Sequence, residues 1–129
     1  MKLLFLDDDI KRWEKFSRNT IGHNRYYVRT PMECVKSLAN SILTKEYYDV
    51  IFLDYDMDEV GGTSENVIAF LEGNRMSFKN MKCIVHSLNE VFGPQLVVRL
   101  EKAGYKVVRE PFAWDKEQFL EGLTNVRMV

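Results

Sequence analysis

Five short apolar runs punctuate the chain: Leu3–Leu6, Tyr26–Val28, Val50–Leu53, Cys83–Val85 and Lys106–Val108. Four are rich in β-branched or aromatic residues, and all are bounded by polar residues or turn formers, which predicts strands. The first, third and fourth are apolar almost throughout, as strands covered on both faces of a parallel sheet must be. Helical spacing fills the gaps. Ile10, Trp13 and Phe16 recur every third residue and predict a helix over Ile10–Arg18. Thr30-Pro31-Met32-Glu33 reads as a helix start: Thr30 caps, Pro31 suits the first helical position, and Glu33 closes a capping box. Cys34, Val35, Leu38, Ile42 and Leu43 then form one apolar stripe. Val67, Ile68, Phe70 and Leu71 mark a third helix that Gly73-Asn74 ends. Leu96, Val97, Leu100 and Ala103 stripe a fourth over Pro94–Ala103, with Gly104 as its stop, and Asp115-Lys116-Glu117-Gln118 opens a last helix through Leu123.

The order is βαβαβαβαβα, which predicts an α/β fold with a parallel sheet and helices on both faces. The 129 residues carry no long linker, low-complexity run or internal repeat, so a single domain is expected over residues 1–129. The longest uncertain connections are Asn19–Asn24, Tyr55–Thr63 and Arg75–Met81. An apolar fraction of 46% excludes wholesale disorder. With 18 basic and 19 acidic side chains the net charge is −1, which excludes holding a long nucleic acid by charge alone; a nucleotide or a nucleic-acid end stays open. Cys34 and Cys83 form no CxxC pair and read as reduced, packed thiols. The apolar start, Met1 to Leu6, runs straight into acid and is too short for a signal peptide or membrane helix; a soluble, cytoplasmic protein is expected. Oligomeric state is left open, since the apolar face of Pro94–Ala103 suits a dimer as well as a core.

In open α/β sheets ligands bind beyond the carboxyl ends of the strands. Here those ends read Asp7-Asp8-Asp9, then Asp54-Tyr55-Asp56, then His86-Ser87 with Asn89 following, then Arg109-Glu110-Pro111. If the first and third strands are neighbours, Asp7 or Asp8 lies close to Asp54. Carboxylates within ~4–6 Å of one another are driven to protonate unless a cation is present. A hard divalent ion resolves this: Mg²⁺ takes one or two carboxylates, keeps water and accepts a phosphate oxygen. Asp9 suits the helix cap better than the metal. His86 closes an apolar strand at the same edge and is a candidate to activate water or protonate a leaving oxygen of a phosphoester. Ser87 and Asn89 are candidates for phosphate oxygens, with simple turn chemistry as the competing role. His23, in Gly22-His23-Asn24, reads as exposed. Arg29 and Arg109 read as solvated arginines in preference to phosphate ligands.

Across nearly the whole chain this pattern resembles the receiver domain of two-component response regulators. Phe5-Leu6-Asp7-Asp8 is similar to that family's acidic pair, Asp54 to its phosphoacceptor, Ser87 to the hydroxyl residue after strand four, and Glu110-Pro111-Phe112 to its Lys-Pro-Phe motif. The resemblance implies a (βα)₅, flavodoxin-like sandwich with sheet order 2-1-3-4-5, and Mg²⁺ held by the acidic pair and the acceptor. Three departures stand out. Glu110 occupies the place of the lysine that contacts the phosphoryl group, Asp56-Met57-Asp58 adds acid, and His86 replaces a small or apolar residue.

These departures resemble a narrower relative, the cyclic-phosphate-processing receiver-like family. Its motifs are similar to Leu6-Asp7-Asp8, Leu53-Asp54-Tyr55-Asp56, Val85-His86-Ser87-Leu88-Asn89, Ala103-Gly104-Tyr105-Lys106-Val107 and Pro111-Phe112, with Tyr55 where the family has histidine. Val28-Arg29-Thr30 also fits. The resemblance implies processing of a cyclic phosphate, such as an RNA end in repair or conflict systems. On it, Asp7, Asp8, Asp54 and Asp56 are the candidate Mg²⁺ ligands, Asp54 and His86 the catalytic pair, and Ser87 and Asn89 the phosphate contacts. The expected partner is a small phosphate ester or RNA end. Two other functions stay open: a receiver that takes a phosphoryl group on Asp54 and signals to a partner, and a catalytically silent binding module.

Overall fold

A computed structural model describes residues 1–57 and 62–111, and these described residues form five parallel strands and four helices. The strands are β1 (Lys2–Leu6), β2 (Asn24–Val28), β3 (Val50–Leu53), β4 (Lys82–Val85) and β5 (Lys106–Arg109); the helices are α1 (Ile10–Asn19), α2 (Pro31–Thr44), α3 (Glu65–Gly73) and α4 (Phe92–Lys102). The sheet order is β2-β1-β3-β4-β5, the order the resemblance implies. The expected last helix, Asp115 to Leu123, and Phe112 lie outside the described residues, as does Asp58. Among the described residues no helix is long and apolar enough to cross a membrane.

The alternation of β1 and β3 explains the layering. Leu4, Leu6, Ile51 and Leu53 face one core with Val67, Ile68, Leu71, Leu96 and Leu100, whereas Leu3, Phe5, Val50 and Phe52 face a second with Phe16 and Trp13. Both faces of the central strands are buried, which is why β1, β3 and β4 are apolar without alternation. The second core is aromatic: Phe5 stacks on Phe16 at 4.3 Å between ring centroids, and Trp13 stacks on Tyr27 at 4.7 Å.

The caps mostly follow the sequence. Asp9 accepts from the Lys11 amide, and Thr30 accepts from the Glu33 amide at 3.1 Å. Glu33 reaches back to the Arg29 amide, one residue short of the expected box. α4 begins at Phe92, two residues before the expected Pro94, because a proline in a helix's first turn has no intrahelical hydrogen bond to lose. Leu43, expected in the α2 stripe, and Ile10, expected in the α1 stripe, are exposed. His23 is half-buried instead of exposed. Cys34 and Cys83 are free and buried, and burial raises both thiol pKa values, Cys83's to about 12.

Candidate functional site

Parallel register carries the chemistry to one edge. Phe5 pairs with Phe52 and Leu53 with Val85. The pairing extends one step past the strands: the Asp7 amide donates to the Val28 carbonyl, the His86 amide to the Leu53 carbonyl, and the Glu110 amide to the Val85 carbonyl. Asp7, Asp54, His86 and Glu110 therefore leave four strands at the same level. The loops that follow wall a cleft of about 350 Å³ lined by Asp8, Asp9, Arg12, Asp54, Asp56, Leu88 and Asn89.

Asp7, Asp54 and His86 are all buried, and each presents a ligand atom within 4.8 Å of the others. Burial pushes the Asp54 carboxyl up to about 7, against the opposing pull of His86 and with a further push from Asp7; Arg12 and the Tyr55 amide, which donates at 2.9 Å, lower it. Burial also raises Asp7, but the His86 contact, the Asp9 amide and Arg12 outweigh it and hold that carboxyl below its usual value. Asp54 is thus the acid in the pair that burial leaves least stabilised as an anion.

The structure separates the expected site residues by role. Asp8, Asp54 and Asp56 share the cleft. Asp7 lies behind them and meets the imidazole: its Oδ2 is 3.2 Å from His86 Nε2, and the His86 ring stacks on Phe5 at 4.8 Å. His86 is fully buried and does not line the cleft. Ser87 is also buried, and its Oγ accepts from the Asn89 amide, which is turn chemistry. Asn89 is committed on both sides of its amide. Its Nδ2 donates to Asp56 Oδ2 at 2.9 Å, and its Oδ1 accepts from the Val91 and Phe92 amides and so starts α4.

Three arginines carry more of the site than the sequence suggests. Arg29 Nε donates to the Asp8 carbonyl at 3.0 Å. Arg109, half-buried, donates to the carbonyls of Ser87 and Asn89 and so clamps the β4–α4 loop. Arg12, absent from the sequence candidates, sits 3.5 Å from Asp7 and 3.6 Å from both Asp9 and Asp54. Its spacing was the available signal: three residues past the cap Asp9, it stands on the first turn of α1 directly above the acids.

Five parallel strands in this order, with acids from β1 and β3 at the carboxyl edge, define a receiver-type domain. Solved structures agree on the fold. A chain of the CheX–CheY–BeF3–Mg²⁺ complex from Borrelia burgdorferi matches with TM-score 0.69 at 19% identity, covering 100% of this chain and 90% of that one. A response regulator receiver domain protein from Clostridium thermocellum matches with TM-score 0.66 at 16% identity, covering 98% and 93%. A search of curated proteins finds no match. The family is set by sequence: the model described as "Cyclic-phosphate processing Receiver domain" matches residues 2–109, and the chain belongs to that family.

Proposed function

We propose that this domain opens a cyclic phosphate diester, in a nucleoside 2′,3′-cyclic phosphate or at an RNA end awaiting repair, with the help of a hard divalent cation of the Mg²⁺ type. The supporting observation is the cleft itself, where Asp8, Asp54 and Asp56 converge at the carboxyl edge of the sheet. Its acidic oxygen donors suit Mg²⁺, and the nearby imidazole nitrogen is turned to Asp7. Asp8, Asp54 and Asp56 would hold the ion, with Asp7 behind them. When bound, it supplies polarisation of the phosphoryl group and offsets the charge that develops there.

The chain's own residues do the rest. Asp54, at the cleft floor, takes a proton from the attacking water as the new P–O bond forms. The ring P–O bond to the ribose oxygen breaks, and the proton passes to that oxygen, leaving a phosphate monoester. Asn89 braces Asp56 through its 2.9 Å bond, and Arg109 holds the loop that carries Asn89. His86 acts through Asp7 as a positioning residue, fixing that carboxylate by its Nε2 contact.

The test is incubation of the protein and Mg²⁺ with an RNA ending in a 2′,3′-cyclic phosphate. Ring opening is expected, lost on chelation and in Asp54→Asn. No opening at high enzyme contradicts the reading. The receiver fold favours a second reading, in which Asp54 itself accepts a phosphoryl group for signalling. A phosphate mass increment on Asp54 after acetyl phosphate treatment, without ring opening, would support it.

A further inference from the structure

We propose that Arg12 is the phosphate-binding cation of this cleft, and that before a divalent ion enters it serves as the tethered counter-ion of Asp7 and Asp54. This rests on the phosphate-processing reading above and adds the residue that would recognise the phosphate. Among the described residues that line the cleft, Arg12 is the one basic side chain, against Asp8, Asp9, Asp54 and Asp56. A phosphate diester entering such a cleft needs a positive donor on the protein, because a cation shared among several carboxylates leaves little net charge for it.

The alternatives are engaged elsewhere. Arg29 Nε is on the Asp8 carbonyl and Arg109 is on the loop carbonyls of Ser87 and Asn89. Asn89 spends its amide on Asp56 and α4, and Ser87 is buried in the turn. Glu110, at the end of β5, carries the wrong charge for the role.

The geometry of Arg12 suits exchange. Its Nη1 spans two strands, 3.5 Å from Asp7 Oδ2 and 3.6 Å from Asp54 Oδ2. Those distances exceed the ~2.7–2.9 Å of a locked guanidinium–carboxylate fork, so the contacts to Asp7 and Asp54 are held chiefly by charge. Its side chain is one quarter exposed and rooted in the first turn of α1, so it can turn toward the cleft without disturbing the core. Asp54 and its neighbours, once holding a divalent ion, would no longer need the Arg12 charge, and Arg12 would be repelled from them. Turned from the acids, the planar fork of Arg12 would offer paired N–H donors matched to two non-bridging phosphate oxygens.

The prediction has opposite signs for two ligands, which a merely structural arginine would not produce. Mg²⁺ is titrated calorimetrically into the full chain, then inorganic phosphate into the Mg²⁺-saturated protein, for wild type, Arg12→Gln and Arg12→Lys, with circular dichroism as the check on folding. Arg12→Gln is expected to bind Mg²⁺ about fivefold more tightly, having lost one competing charge at contact distance. The same variant should bind phosphate roughly tenfold or more weakly, having lost a charge-assisted donor pair. Arg12→Lys keeps the competing charge without the fork, so its Mg²⁺ affinity should stay near wild type while phosphate binding falls between the other two. Unchanged phosphate affinity in Arg12→Gln, or Mg²⁺ and phosphate affinities falling together, overturns the inference and leaves the proposed function standing. Wild type that binds neither ligand removes both.

Discussion

At the scale of single residues the site is governed by one unfavourable anion. Asp54 is almost fully buried, and its pKa of about 7 in the fold compares with an ordinary value near 3.8. Because the folded form holds the proton more tightly, folding is favoured when Asp54 is protonated. The resulting stability is present at pH 4 and lost as pH rises toward 7. Asp54→Asn removes the ionisation while keeping the shape. Its melting temperature should match wild type near pH 4 and exceed it by several degrees at pH 8, with the gap narrowing when Mg²⁺ is added to wild type. Thermal melts at both pH values check this, and a gap that shrinks as pH rises would contradict it. The sequence placed Asp7, Asp8, Asp54 and Asp56 at one edge. It could not say which of them would line the cleft, because that depends on packing across strands: Asp8, Asp54 and Asp56 line it, whereas Asp7 is turned to His86. His86, expected at the edge of the acids and as a group acting on the phosphoester, does reach that edge, where it meets Asp7 without lining the cleft.

At the scale of elements, caps and registers did the positioning. β1, β3 and β4 were legible because burial on both faces leaves a continuous apolar run, and the α2 start was legible because Thr30 and Pro31 act locally. The β4–α4 loop was not. Its shape depends on Arg109, twenty residues further along the chain, reaching back to the Asn89 carbonyl. Gly104 shows how local the ends of helices can be. With φ at +102° it ends α4 as its amide donates to the Glu101 carbonyl, and a Cβ there would lie 2.7 Å from Arg75 Nε. Gly104→Ala should cost about 1–2 kcal/mol from backbone strain and the displaced arginine. Urea denaturation reads that loss. Mg²⁺ affinity should stay at the wild-type value, since Gly104 lies at the opposite edge of the sheet from the acids; a matching loss of Mg²⁺ binding would show that α4 and the cleft are coupled.

At the scale of the whole molecule a net charge of −1 hides a polar arrangement. The carboxyl edge gathers the acids, while a second cleft at the amino edge is lined by Arg75, Lys79, Lys82 and Lys106 around Asp49. Composition could exclude a broadly basic nucleic-acid binder but not reveal this separation, which exists only once parallel strands align all their starts on one side. The fold is that of receivers, and the family is the cyclic-phosphate processing receiver domain. The chemistry rests on whether the acidic edge opens a phosphate ring. Phosphorus NMR of 2′,3′-cyclic AMP with the protein and Mg²⁺ tests this most directly. The account predicts that the cyclic diester signal is replaced by that of a monoester, with wild type but not with Asp54→Asn. A cyclic signal that persists while calorimetry shows Mg²⁺ bound to the wild-type protein would contradict it.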